Sequence, residues 1–135
     1  MATLKISDLS VGDWVRYKGK ECAIASIYMA AEGYPHEVAL TYQGISCEWA
    51  YIDHLQPIPI TAEILEKNGF IKNGEYNEWS TGNWDDIPFI GISLSRQSMR
   101  IKNLGTDIFI ENKVVYIHQL QRALRLAGVG KEINL

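Results

Sequence analysis

The stretch Leu9-Ser-Val-Gly-Asp-Trp-Val-Arg-Tyr-Lys-Gly-Lys-Glu-Cys-Ala-Ile-Ala-Ser-Ile27 decides the fold, because it reads as the first hairpin of a small β-barrel. Val11-Gly-Asp13 makes a turn into a strand over 14–18, where Trp14, Arg16 and Lys18 alternate with Val15 and Tyr17 as on a half-buried strand. Gly19 reverses the chain, and 21–29 supplies a longer partner rich in small and β-branched residues. Glu32-Gly-Tyr-Pro35 is a loop by its Gly and Pro. Residues 38–42 and 46–52 pair across Gln43-Gly44, with Cys47, Trp49 and Tyr51 on one face and Ser46, Glu48 and Ala50 on the other.

Four or five short strands with tight turns in so few residues predict an SH3-like β-barrel over 1–58. Pro57 and Pro59, which lack amide donors, suit an edge or an exit from it. Beyond them Thr61 caps a short connecting helix over 62–68, with Glu63 at its positive end and Ile60 stapled to Leu65. Gly69 stops that helix, and Phe70 folds back onto Leu65. Strands over 75–80, 89–94, 99–102 and 106–116, the last broken near Glu111-Asn112, predict an antiparallel sheet. A helix over 117–127 packs on it through Ile117, Leu120, Leu124 and Ala127 and ends at Gly128. The fold class is therefore α+β, with a barrel subdomain over 1–58 and a sheet-plus-helix subdomain over 59–135.

The 135 residues are 47% apolar, enough for a core without disulfide or metal staples. Thirteen Lys and Arg against sixteen Asp and Glu leave a formal charge of −3, the opposite of the basic excess that neutralises phosphates. The charge is uneven: 61–90 hold Lys67 and Lys72 against six acids, while 91–135 hold seven bases against Asp107, Glu111 and Glu132. The N-terminus shows no signal-peptide pattern and no stretch approaches the length of a membrane span, so a soluble cytoplasmic protein is expected. Cys22 and Cys47 sit in strand-like runs and read as buried thiols.

Three landmarks carry a resemblance. Tyr116-Ile-His-Gln-Leu-Gln121 follows a hairpin and runs into Arg-Ala-Leu-Arg-Leu-Ala-Gly128, and Pro57 to Phe70 reads Pro-Ile-Pro-Ile-Thr-Ala-Glu-Ile-Leu-Glu-Lys-Asn-Gly-Phe. With the Gly12 to Val15 opening, these make the chain similar to a group of uncharacterised small proteins common in Bacteroidetes genomes and their phages. The resemblance spans most of the chain and implies a mobile-element or phage accessory context. It brings no functional residues with it.

Two constellations have binding chemistry. Residues 75–86 concentrate Tyr76, Trp79 and Trp84 among four acids, Asp85 and Asp86 included, in a Gly-containing loop region: the composition of a protein-recognition surface or a cation-holding aromatic pocket. In the competing reading, Trp79 and Trp84 anchor a long hairpin to the core while the acids stay wet. His118, Arg122 and Arg125 fall at i, i+4 and i+7, sharing a helix face that can receive an anion or a phosphate backbone; the competing reading is a solvated face whose bases favour the helix C-terminus. Trp14, Tyr17, Trp49 and Tyr51 form a third aromatic set. Trp14 and Tyr17 point to opposite sides of a regular strand, so only part of that set can be surface.

Cys22, Cys47, His36, His54 and His118 lack the paired spacings of zinc sites, and no phosphate-binding glycine loop, nucleophile elbow or paired-carboxylate motif occurs. The expectation is a non-enzyme without metal or cofactor. Its preferred role is a protein-interaction module acting on a host or phage protein through Trp79 and Trp84. A second reading is a nucleic-acid-binding accessory factor using Arg122 and Arg125. A third is sequestration of a small nucleotide-like ligand between aromatic rings and the arginine face. No membrane partner is expected, and exposed sheet edges with many aromatics leave room for a homo-oligomer.

Overall fold

A computed structural model describes residues 4–74, 77–83, 85–110 and 115–135, and only the backbone at 46, 47 and 106. The chain is α+β and divides into two units, Met1–Ile58 and Pro59–Leu135.

In the first unit β1 (Trp14–Tyr17), β2 (Lys20–Tyr28), β3 (Glu37–Tyr42) and β4 (Ile45–Tyr51) form an antiparallel meander in sequence order. Two tight turns fix its register. Lys18-Gly19 and Gln43-Gly44 each hold two successive residues at positive φ, the type I′ geometry whose twist matches the flanking strands and whose second position glycine accepts without a side-chain clash. Asp13, fully buried, organises the entry: its carboxylate accepts the Ser10 N–H at 2.8 Å and its carbonyl the Ile24 N–H at 2.9 Å. Val15, Ile24, Val38 and Leu40 form the centre of the core.

The expected barrel does not close. A short 3-10 turn, Ile52–His54, leads to Gln56, which exchanges two hydrogen bonds with Arg16 on the free edge of β1, at 2.8 and 2.9 Å. The contact stops at that single residue pair. Pro57 and Pro59 lack the amides that a fifth strand needs, and the sheet stays open.

The second unit begins where Ile60 donates to the Val115 carbonyl beside the Pro59–Tyr116 bridge. Thr61 Oγ1 accepts the Ile64 N–H and caps α1 (Ala62–Lys67). At its end Phe70 N–H reaches the Leu65 carbonyl and Gly69 N–H the Glu66 carbonyl, the paired bonds of a Schellman cap, with Phe70 and Leu65 both buried. The same pair of bonds, Val129 to Leu124 and Gly128 to Arg125, closes α2 (Ile117–Leu126).

Between the helices β5 (Ile71–Asn73), β6 (Glu78–Ser80), β7 (Phe89–Ser93), β8 (Ser98–Asn103) and β9 (Thr106–Ile110) make a five-stranded antiparallel meander. The expected strand over 106–116 ends at Ile110, and its expected break at Glu111-Asn112 lies outside the described residues. One sheet face, with Trp79, Ile90, Ile92, Met99 and Ile101, is buried, as is the Ile117, Leu120 and Leu124 stripe of α2. Asn103 Nδ2 of β8 donates to the Ala127 carbonyl at 2.8 Å and ties sheet to helix. The chain's last residues are fastened too: Asn68 at the end of α1 exchanges side-chain bonds with the backbone of Asn134, and Lys131 Nζ donates to the Asn68 carbonyl.

Candidate binding surfaces

The second sheet's other face is built of small residues between large ones. Cross-strand pairing lines up Ser80, Gly91, Arg100 and Phe109 in one row and Glu78, Ser93 and Ser98 in the next. The low floor leaves a groove of about 350 Å³, with Glu78, Arg96 and Phe109 among its lining residues. Gly91 is low because the Phe89 ring occupies the space beside it: a Cβ at Gly91 would meet that ring at 3.0 Å. Arg100 is committed within this face to a bidentate pair with Asp107, at 2.9 and 2.6 Å.

The hydrogen bonds from Arg100, together with the charges of Arg100 and Lys102 and against a desolvation cost, hold the Asp107 carboxyl below its ordinary range. A depressed folded-state pKa stabilises fully above the unfolded value and ceases to as pH falls through the folded one. In an NMR titration Asp107 is therefore expected to protonate at lower pH than an unperturbed aspartate and to return to the ordinary range in Arg100→Gln. A midpoint unmoved by that substitution would mean that the pair does not form in solution.

The aromatic loop predicted as a recognition surface borders this groove, but two of its described residues, Trp79 and Asp86, have other work. Trp79 is 6% exposed and donates from Nε1 to Asn77 Oδ1 at 3.1 Å, so it fills the core and is not a free-standing anchor. Period-two alternation explains this: Trp79 shares the buried face with Ile92 opposite. Asp86 Oδ2 accepts the Asn83 N–H at 2.7 Å and packs where a Gly82 side chain would stand, which gives it a loop-shaping role. Asp85 is exposed. Tyr76 and Trp84 lie outside the described residues.

The predicted basic face of α2 is also split. His118 is 4% exposed and stacks on Tyr116, ring centroids 5.9 Å apart, whereas Arg122 and Arg125 are exposed. His118 and Arg125 project in nearly the same direction at the margin of the helix's buried arc, covered at the first turn and open at the last. The rest of the His-Gln-Leu-Gln run is architectural as well. Gln119 Oε1 accepts the Tyr116 N–H at 2.8 Å as a capping side chain, and Leu120 and Gln121 are buried.

The first sheet carries an aromatic surface that the loop reading passed over. Register places Tyr28, Glu37 and Tyr51 side by side across β2, β3 and β4, and Ser26, Ala39 and Trp49 in the adjoining row of the same face. Val38, Leu40 and Ala50 point the other way into the core. Tyr28, Trp49 and Tyr51 are 58%, 53% and 43% exposed, and His54 meets the Tyr51 ring edge-on at 5.8 Å. Neighbouring strands lie about 4.8 Å apart, so Tyr28 and Tyr51 stand about 10 Å from each other on either side of the Glu37 carboxylate. The signal was present in the alternation of Trp49 and Tyr51. It was obscured because register shifts after Ile24 and after Leu40 change which face each strand presents.

Among the described residues no three His, Cys, Asp or Glu side chains gather as a metal site, Cys22 is a free buried thiol, and no helix is long and apolar enough to cross a membrane. No protein-family model, curated protein or solved structure matches the chain.

Proposed function

We propose that this protein is a non-enzymatic interaction module, of phage or mobile-element origin as its resemblance implies, which holds a partner protein against the outer face of its N-terminal sheet. One observation carries the reading: three large aromatic side chains stand about half exposed together on one face of a hydrogen-bonded sheet. Trp and Tyr concentrate binding energy at interfaces because they bury much area with few rotatable bonds. Strand pairing presets their spacing, which lowers the ordering cost of association.

The test is site-specific photo-crosslinking in lysate of a Bacteroidetes host. A crosslinker in place of Tyr28 or Tyr51 is expected to yield a discrete protein adduct that disappears when Trp49→Ala is added, while one in place of Phe109 or Arg122 yields none. Adducts formed only at Phe109 would move the function to the groove of the second sheet. Adducts to nucleic acid at Arg122 would favour the accessory-factor reading.

A further inference from the structure

Resting on the interaction-module reading, we infer that the aromatic face binds a lysine- or arginine-containing segment of its partner, with one cationic head seated between Tyr28 and Tyr51 over the Glu37 carboxylate and beside Trp49. The geometry is that of a cation receptor. Two tyrosine rings flank a half-buried carboxylate, an indole stands in the next row above the small residue Ala39, and among the described residues no cationic side chain pairs with the Glu37 carboxylate. Aromatic faces attract cations through their quadrupole, and a carboxylate beneath adds direct charge attraction.

The surrounding charge has the same sense. Residues 21–58 contain Glu21, Glu32, Glu37, Glu48 and Asp53 and no lysine or arginine at all. Residues 1–58 carry four bases against seven acids, whereas 59–135 balance nine against nine, so the whole formal charge of −3 belongs to the unit with the aromatic face. That sign repels phosphate, and aromatic platforms for single-stranded nucleic acid sit in positively charged grooves. It draws in a basic peptide and speeds the encounter.

The experiment selects a displayed library of random dodecapeptides on the full-length protein, with Tyr28→Ala/Trp49→Ala as the counter-selecting bait and circular dichroism confirming that this variant is folded. Winning peptides are expected to be enriched in Lys and Arg. A synthetic winner is expected to bind at least about tenfold more weakly to Glu37→Gln and to Trp49→Ala, and to weaken as salt rises. Peptides that depend on Trp49 but are neutral or acidic would overturn the cationic specificity and leave the interaction module standing. Failure of any peptide to distinguish the two baits would remove this face and the module reading placed on it. Self-association in sedimentation that Trp49→Ala abolishes would assign the face to a second copy of the chain and overturn the proposal.

Discussion

Leu120→Ala is expected to cost the C-terminal unit about 3 kcal/mol, within the range of about 2–5 kcal/mol for emptying a fully buried leucine site. Leu120 is completely inaccessible, as is Ile117, and Leu124 nearly so. The helix is only ten residues long, too short to persist by propensity, so its packing is what holds it. Native-state hydrogen exchange is the appropriate measurement because two units need not unfold in one step. Amides of β7, β8 and α2 are expected to lose about a hundredfold in protection while those of β1 to β4 keep theirs. Equal losses in both units would show that they unfold together.

Asn68→Ala is expected to cost about 2–3 kcal/mol and to release the last residues of the chain. The side chain donates at 2.8 Å to both the Ile64 and Asn134 carbonyls and accepts the Asn134 N–H at 2.7 Å. Alanine cancels all three and leaves polar backbone groups beside the buried Ile133 without their partners. The Asn134 amide is expected to exchange rapidly in the variant and to stay protected in the parent protein. Unchanged protection at Asn134 would mean that Ile133 burial alone fixes the tail.

What could be read from the sequence followed the range over which each feature is determined. The Thr61 cap, the Gly69 and Gly128 stops and the turns at Gly19 and Gln43-Gly44 depend on a few adjacent residues, and each stands where its chemistry predicts. The β5 strand was missed because Ile71-Lys72-Asn73 is short, exposed throughout and defined by pairing with β6. Barrel closure was misread because strand count says nothing of a ladder that two prolines stop after one residue pair. In the candidate sites, Trp79 and Trp49 have similar local surroundings, yet one fills a core and the other faces solvent. Register decided between them: it sets Trp79 opposite the buried Ile92, and Trp49 opposite Ala39 on the face away from Val38 and Leu40.

Both sheets are meanders in which every strand pairs with its sequence neighbour, and this has a kinetic consequence. Closing short loops costs little entropy, so neither sheet waits for distant chain before it can nucleate. During synthesis the four strands of the first unit are complete before α1 leaves the ribosome, and the aromatic face is formed while the remainder is still being translated. The contacts that span long stretches of sequence, Arg16 with Gln56, Pro59 with Tyr116 and Asn68 with Asn134, are then the closing steps of assembly. The bond between Asn68 and Asn134 joins residues 66 positions apart, so the second unit stays unfastened in any nascent chain arrested short of Asn134.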